Sequence, residues 1–191
     1  MINKISQKQA VKNLKQIGRG AFTRCYYVSE KEVLLLSSCP IKEAMAHGWF
    51  PRHSMFPAIK WDESIEDSAY KNMSVYSYRM KNYGPTQTGL KSLLTERQYK
   101  LYKELNHISS LMPPSPFRSH DKYHFYNDAF NASKILTPKQ KEALIEALSA
   151  CSNYGADVTF ECSPRNVRAV KGKLVLLDCF FMASALMKVR G

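Results

Sequence analysis

The sequence predicts an α+β protein with two lobes, the first rich in β-strands and the second mainly helical. About the first 80 residues contain segments typical of strands and helices in the order β-β-β-α-β-β, and helical patterning follows Asn82-Tyr83-Gly84-Pro85. Near the end of the chain, two short apolar runs flank Lys171-Gly172, which is typical of a β-hairpin. We therefore expect an N-terminal lobe of residues 1–83 and a C-terminal lobe of residues 84–191.

Composition is that of a globular protein. The chain has 191 residues and a hydrophobic fraction of 45%, enough to bury a core. It contains no apolar run of membrane-spanning length, and its N-terminus lacks the apolar segment of a signal peptide. We therefore expect a cytoplasmic protein with no membrane association. Its five cysteines are never spaced as CxxC, which argues against a disulfide framework and against a zinc site.

The net charge of +12 is the strongest compositional signal. It predicts anionic partners, which are nucleotide phosphates, nucleic acid or an acidic protein surface. A solvated basic face and a dedicated binding patch both remain open as explanations of the N-terminal charge. The first 24 residues contain no acid and six bases, namely Lys4, Lys8, Lys12, Lys15, Arg19 and Arg24.

The predicted N-terminal lobe begins with a glycine-containing hairpin. Leu14 to Val28 reads as strand, turn and strand around Gly18-Arg19-Gly20. Glycines so spaced let backbone N–H groups approach phosphate oxygens, because no Cβ stands in the way. A third strand, Glu32 to Ser37, is apolar enough to be buried on both faces. We then expect a helix from Ile41 to Phe50, with Pro40 at its start and Gly48 near its end, and strands over Phe56–Trp61 and Met73–Met80.

The predicted C-terminal lobe is mainly helical. Gly89 to Met112 has apolar residues at helical spacing and predicts one long amphipathic helix. Pro113 to Ser133 is rich in Pro, His and aromatic residues and predicts an irregular connection with one short helix. Thr137 followed by Pro138 predicts the start of a helix running to about Ser152. A short helical tail, Met182 to Val189, should close the chain.

Three polar residues surround the late hairpin. Asn166 lies just before its first strand, and Asp178 just after its second, so antiparallel pairing brings both to the same end. Glu161 lies five residues upstream of Asn166, on a loop that Pro164 keeps out of helical geometry. Such oxygen ligands suit Mg²⁺. Asn and Asp also flank hairpins simply as turn residues, so this second interpretation stays open.

The order of these elements resembles the protein-kinase-like superfamily, and the chain is most similar in size to small kinase-like proteins of phages and bacteria. In that family a glycine-rich hairpin covers ATP, a third strand carries a lysine, and a helix supplies its glutamate partner. A catalytic loop then provides a base Asp and, five residues later, a metal-binding Asn, and a hairpin ends in a metal-binding Asp. The matching segments here read IGRGAF, EVLLLS, ECSPRN and LLDCF.

The resemblance implies a role for each matching residue and implies ATP and Mg²⁺ as cofactors. Glu161 takes the position of the catalytic base, and Asn166 and Asp178 take those of the metal ligands. The nucleotide would be bound by Gly18, Gly20, Ala21 and Glu43.

The chain also departs from the family pattern. Leu35 occupies the position expected to hold the strand lysine, with Arg19, Arg24 and Lys42 as candidate substitutes. Glu161 stands where the family has Asp, and a displacement of about 1 Å costs on the order of 100-fold in rate. Thr23 replaces the third glycine, and the chain ends before the segments that normally hold a peptide substrate.

Three functions remain open from the sequence. The first is an ATP- and Mg²⁺-binding kinase-like protein that transfers phosphate to a Ser or Thr hydroxyl of a protein. The second is an inactive pseudokinase that serves as a binding or inhibitory module for an acidic partner protein. The third is a nucleic-acid binder, supported by the charge and the abundant tyrosines.

Overall fold

The structure is a computed structural model that describes residues 4–66, 68–70, 73–111 and 119–190. The predicted α+β class is confirmed, because the chain combines a multi-stranded sheet with several helices. The chain divides into two compact units. The first unit comprises Met1–His47, Ala58–Pro85 and Ala185–Gly191, and the second comprises Gly48–Pro57 and Thr86–Ser184.

The first unit is built on an antiparallel sheet. Its elements are β1 (Ile5–Ser6), α1 (Gln7–Val11), β2 (Gln16–Arg19), β3 (Thr23–Tyr27), β4 (Glu32–Ser37), α2 (Pro40–Ala46), β5 (Ile59–Trp61), β6 (Ile65–Glu66), β7 (Ser68–Tyr70) and β8 (Met73–Lys81). Five strands pair in the order β2-β3-β4-β8-β5, and β7 also pairs with β8. β1 and β6 form a separate parallel pair. The predicted β4 is therefore a central strand of this sheet.

Strand β4 is buried on both faces, as its continuous apolar sequence predicts. Leu34 and Leu36 belong to an apolar cluster with Tyr26, against which Ala10 and Val11 of α1 pack. Residues alternate between the two faces of a strand, so Leu35 lies on the opposite face. Helix α1 consequently covers the Leu34 and Leu36 face.

The opposite face of the sheet carries an aromatic group. Leu35 is the register partner of Tyr78, which in turn faces Trp61 on β5. The rings of Trp61 and Tyr78 have centroids 5.0 Å apart. His47, at the end of α2, contacts Trp61 edge-on at 5.0 Å. The end of α2 is therefore on the Leu35 face.

The second unit contains most of the helices. Its elements are α3 (Leu90–Leu93), α4 (Glu96–Ser110), α5 (Ser119–Ala132), α6 (Pro138–Ser152), β9 (Val158–Phe160), β10 (Val167–Val170), β11 (Lys173–Leu176) and β12 (Phe180–Met182). β10 and β11 form the predicted hairpin, and β9 pairs antiparallel with β12. The last helix, α7 (Ala183–Arg190), begins in this unit and ends in the first. Within the described ranges, no helix combines the length and apolar character needed to cross a membrane.

Aromatic side chains from several elements form the core of the second unit. Phe160 on β9 contacts Phe130 of α5 at 5.3 Å and Phe180 of β12 at 5.0 Å, measured between ring centroids. Gly48–Pro57 contributes Phe50 and Phe56, whose rings lie 6.0 and 6.4 Å from Phe180. This core holds β9 and β12 together and so positions the loops that follow and precede them.

Several predicted elements differ from the structure. The helix predicted from Gly89 to Met112 is divided at Thr95, whose hydroxyl accepts a hydrogen bond from the Gln98 N–H and caps α4. The irregular connection predicted over residues 113–133 is mostly α5, while residues 113–118 lie outside the described part of the chain. Helix α2 ends before the predicted Phe50, because Gly48 adopts a φ of 77°. β1, α1, β6, β7, β9 and β12 are short elements that the sequence did not predict.

Candidate functional site

The hairpin of β10 and β11 has the tight turn that its sequence predicts. Lys171 and Gly172 have φ values of 49° and 75°, and two positive φ values are typical of the hairpin turn that matches strand twist. The register pairs Val170 with Lys173 and continues to the open end of the hairpin. There the Asn166 carbonyl accepts hydrogen bonds from the N–H groups of Leu177 at 2.8 Å and Asp178 at 3.4 Å.

Glu161 is bonded to the same end of the hairpin. Its N–H donates to the Cys179 carbonyl at 2.7 Å, which extends the pairing of β9 with β12 by one residue. The Asn166 side chain donates through Nδ2 to the Glu161 carbonyl at 3.4 Å. Glu161, Asn166 and Asp178, which we call the loop cluster, therefore lie next to one another. Hydrogen bonds join Asn166 to Glu161 and to Asp178, and they join Glu161 to Cys179, which follows Asp178 in the chain.

The Glu161 carboxylate has a partner that the sequence analysis missed. Arg165 donates to Glu161 Oε1 at 2.9 Å, and its own side chain is 72% exposed. An ion pair this exposed contributes about 0–1 kcal/mol, so it opens readily. While it is closed, the guanidinium occupies one of the two carboxylate oxygens of Glu161. The spacing of four residues between an acid and a base was the available sequence signal.

Pro164–Asn166 forms a short 3₁₀ helix, so the expectation that Pro164 keeps this loop out of helical geometry is wrong: proline begins the turn, where its missing N–H is not needed. A buried arginine supports this 3₁₀ turn. Arg168 on β10 is 8% exposed, and its Nη1 donates to the carbonyls of Val167 at 2.7 Å and Arg165 at 3.1 Å. These two carbonyls flank Asn166 in sequence, so Arg168 restrains the backbone on both sides of it. In the sequence this position belongs to a predicted strand, and nothing in the pattern indicates its role at the turn.

The side chain of Gln87 takes the place of a neighbouring strand beside β10. Its amide oxygen accepts from the Ala169 N–H at 2.6 Å, and its Nε2 donates to the Ala169 carbonyl at 3.1 Å. These two hydrogen bonds satisfy the backbone N–H and carbonyl of Ala169, which would otherwise need a neighbouring strand or water. Nothing in the sequence pattern predicts it, because the two residues are distant in the chain.

The loop cluster fits the oxygen chemistry of Mg²⁺. Asp178 supplies a carboxylate and Asn166 an amide oxygen, and Mg²⁺ is commonly bound by one or two carboxylates together with waters and substrate phosphates. In the ranges that the structure describes, no group of three or more His, Cys, Asp and Glu side chains is placed to hold a metal ion. Asp178 and Asn166 thus offer two side-chain oxygen donors of the kinds that Mg²⁺ accepts.

The predicted glycine hairpin is formed by β2 and β3 in the first unit. Gly18 is the register partner of Cys25, and the Gly20 N–H donates to the Thr23 carbonyl at 2.8 Å. The Gly20 N–H is therefore already engaged in a hydrogen bond within the hairpin. Neither glycine adopts a positive φ. Ala21 is exposed at the tip of the hairpin.

Two of the three candidate substitutes for the missing lysine lie on the face of the sheet opposite to Leu35. Leu35, at the lysine position, is 3% exposed and is the register partner of Cys25. Arg24 instead pairs with Leu36 on one side and with Arg19 on the other, so both arginines occupy the face opposite to Leu35. Since the end of α2 is on the Leu35 face, Lys42 is the candidate whose helix lies on the appropriate side.

Glu43, the predicted glutamate of the helix, has a histidine neighbour. Its carboxylate lies 4.0 Å from Nε2 of His47, one helical turn further along α2. The side chain of Glu43 is 31% exposed. Glu43 thus lies on α2, the helix predicted for it, and the contact that its carboxylate makes there is with His47.

Comparison with protein-family models and with curated protein sequences identifies no relative. No protein-family model matches the chain, and no curated protein sequence matches it.

Proposed function

We propose that the protein binds ATP together with Mg²⁺ through a kinase-like arrangement. One observation carries the proposal: Asn166 and Asp178 meet at the open end of a hairpin through the bond from the Asp178 N–H to the Asn166 carbonyl. Glu161 adjoins them at the family's spacing of five residues. Asp178 and Asn166 would hold Mg²⁺, which when bound offsets negative charge on the phosphates.

The first unit supports the same proposal by its order of elements. A glycine-containing hairpin, a buried third strand and a helix carrying Glu43 follow one another as in the family pattern. The two-lobed kinase-like architecture, with lobes at residues 1–83 and 84–191, is part of this proposal. In it, Gly18, Gly20 and Ala21 belong to the hairpin that covers the nucleotide.

Phosphate transfer to a Ser or Thr hydroxyl is the activity that the resemblance implies. In that reaction, Glu161 would accept a hydrogen bond from the hydroxyl and orient it toward the γ-phosphate. Two observations favour a second candidate, a pseudokinase that binds nucleotide without efficient transfer and serves an acidic protein partner. Leu35 brings no charge to the phosphates, and Arg165 is paired with the Glu161 carboxylate.

The binding proposal is tested by thermal unfolding with ATP, with and without Mg²⁺. A ligand that binds only the folded state stabilises it by about 2.7 kcal/mol at 100 times its Kd. We expect the midpoint to rise with ATP and Mg²⁺ together and the rise to be lost in Asp178→Asn. The matched control is Asp128→Asn, because Asp128 is an exposed carboxylate on α5. A wild-type midpoint unchanged by millimolar ATP and Mg²⁺ would refute the proposal.

Labelled ATP separates the two candidates. Transfer of label that disappears in both Glu161→Gln and Asp178→Asn identifies a working kinase. Nucleotide-dependent stabilisation with no transfer to the chain itself or to generic protein acceptors, before and after Arg165→Gln, identifies the pseudokinase.

A further inference from the structure

The turn between β10 and β11 holds a lysine in a disfavoured backbone conformation. In the part of the chain that the structure describes, Lys171 is the one residue other than glycine with a positive φ, which is 49°. A two-residue turn of this kind needs positive φ at both positions, and Asn, Asp and Gly adopt it most readily. Lys171 is exposed, so burial of its side chain does not offset the strain. Strain of this kind points to a role for the side chain itself.

Further cations lie where this turn contacts the junction of α3 and α4. The Gly172 carbonyl accepts a hydrogen bond from the Thr95 N–H at 3.0 Å, and Leu94 forms an isolated bridge with Gly172. One exposed cation lies on α3, one lies in the first turn of α4, and two lie at the hairpin turn. We call these four residues the basic tip, and they are Lys91, Arg97, Lys171 and Lys173.

The segments that form the basic tip contain little negative charge. Residues 84–101 and 162–177 include one acid, Glu96, whose carboxylate lies 2.7 Å from Nζ of Lys100. Glu104, the next acid of α4, is two helical turns beyond Arg97. Within the described residues, the four cations of the basic tip take part in no ion pair. The acids of these segments therefore do not balance the charge of the basic tip.

Protection of strand edges does not account for the lysines of the hairpin turn. Lysines on open edges prevent unwanted strand pairing, but both edges of this hairpin are engaged within the chain. Gln87 bonds to the N–H and carbonyl of Ala169 on β10, and Gln98 accepts from the Leu174 N–H on β11. Solubility gives no reason for the position either, because a charge at any exposed, unstrained residue serves it equally.

We propose that the basic tip binds the phosphate backbone of double-stranded nucleic acid without reading its sequence. Backbone binding requires cations that displace counterions, and the bond from Thr95 to Gly172 holds the cations of the turn beside those of the helices. Single strands are bound largely by stacking of bases on aromatic side chains. The large apolar side chain exposed at this junction is instead the aliphatic Leu93. A protein partner would need a larger apolar anchor than one leucine.

The test is fluorescence anisotropy of the full chain with labelled mixed-sequence DNA and RNA duplexes of about 20 base pairs, over a range of KCl concentrations. Each lost phosphate contact reduces the magnitude of the slope of log K against log salt by about 1. We expect Lys171→Asn to reduce it by about 1, and Lys171→Asn with Lys173→Gln to reduce it by about 2. The control removes two exposed cations of the first unit, by Lys31→Gln with Lys60→Gln, and should leave the slope unchanged.

The substitution Lys171→Asn also separates a lost contact from a damaged fold. Asn suits the turn better than lysine does, so the urea midpoint of unfolding should rise while binding of the duplex weakens. A lower midpoint would overturn the proposal, because Lys171 would then not be strained in the wild type. A higher midpoint with an unchanged salt slope would also overturn it, because the ammonium would then contact no phosphate.

Binding by the wild type decides the class of ligand. A protein that binds neither duplex at the lowest salt concentration lacks the activity. Tighter binding to single strands than to duplexes of the same sequence contradicts the preference for double strands. Equal slope changes in the control and in the test variants mean that only net charge matters. Competition by polyglutamate, or by vesicles with anionic lipid, as effective as that by DNA of the same charge assigns the basic tip to an acidic protein or to a membrane surface.

Discussion

Lys122 is a fully buried cation on α5. Its Nζ donates a hydrogen bond to the Thr159 hydroxyl on β9 at 3.1 Å. Burial lowers the pKa of this lysine below its usual value, and the nearby Asp157 opposes the shift. The carboxylate of Asp157 is itself engaged as the acceptor of the Ser184 N–H. The cost of burying this ammonium is therefore only partly offset.

This pKa shift predicts a pH-dependent stability. Between the lowered pKa and the unfolded value of about 10.4, the unfolded chain binds more protons, so the free energy of unfolding rises with pH. Below both values Lys122 is protonated in both states and contributes no slope. We expect Lys122→Met to remove the rise, as measured by urea unfolding from pH 7 to 10.

The control for this measurement is Lys134→Met, which replaces an exposed lysine. Its difference from the wild type should be the same at every pH. If the curves of Lys122→Met and wild type run parallel throughout the range, the buried ammonium is not responsible for the pH dependence.

The same lysine explains why the sequence did not reveal α5. Lys122, Tyr126 and Phe130 follow one another at intervals of four residues, and all are fully buried. The content of Pro, His and aromatic residues favours an irregular connection, and lysine is rarely buried, so Lys122 gives no sequence signal for a buried helical stripe. The hydroxyl of Thr159 and the nearby Asp157, both distant in sequence, stabilise the ammonium group at this position.

At the scale of elements, the β10–β11 turn contacts the junction between α3 and α4. The Gly172 carbonyl accepts a hydrogen bond from the Thr95 N–H at 3.0 Å. A Cβ added to Gly172 would lie 3.1 Å from Cγ2 of Thr95. Gly172 is consequently required both by its φ of 75° and by this close approach.

We expect Gly172→Ala to destabilise the protein more than Gly48→Ala. Both positions have φ above 70°, which costs a residue with a side chain about 1–2 kcal/mol. A Cβ at Gly48 meets no atom within 4 Å, whereas at Gly172 it crowds Thr95 and adds about 1 kcal/mol of overpacking. Urea unfolding measures the loss of stability in both variants. Equal losses would contradict the expectation, because they would show that the Thr95 side chain can move aside without loss of free energy.

The break between α3 and α4 was partly visible in the sequence. Thr95 to Gln98 reads TERQ, which has the spacing of a helix cap. The apolar pattern runs through this segment without a change of period, so periodicity predicted one helix. The Gln98 side chain accepts from the Leu174 N–H at 3.0 Å. The helix start is therefore bonded to β11, a contact that no local pattern encodes.

At the scale of the whole molecule, neither unit is one continuous stretch of chain. Gly48–Pro57 belongs to the second unit although residues on both sides of it belong to the first. The Met55 carbonyl accepts a hydrogen bond from the Leu176 N–H at 2.7 Å, and Phe50 and Phe56 pack near Phe180. A cut at the predicted lobe boundary would separate these residues from their partners.

We expect a fragment of residues 86–191 to lack cooperative unfolding. Loss of a large aromatic core side chain costs about 3–5 kcal/mol, and whole domains are stable by about 5–15 kcal/mol. Near-UV circular dichroism and urea titration provide the measurement. The control is the same fragment with residues 48–57 joined by a flexible linker, which should regain part of the transition. A sharp transition in the bare fragment would contradict the expectation.

The sequence predicts that the residues of the loop cluster lie close together, but it does not identify a cation that would contact the phosphates. Asn166 and Asp178 could be placed together because hairpin register is a local property, fixed by the turn at Lys171-Gly172. The sequence does not show which basic residue could take the place of a lysine at position 35, because the face occupied by Arg24 depends on pairing with a different strand. The role of Arg168 has no sequence signature, because two of its hydrogen bonds go to backbone carbonyls and another goes to the hydroxyl of Thr86, which is distant in the chain.

The long connection from Met55 to Leu176 also has a consequence for synthesis on the ribosome. All six strands of the main sheet lie before Asn82, so that sheet can pair while the rest of the chain is still being made. At about 5–20 residues per second, Leu176 follows Lys81 by on the order of ten seconds. During that interval Phe50 and Phe56 have no core to enter, and the nascent chain exposes apolar side chains to which a chaperone can bind.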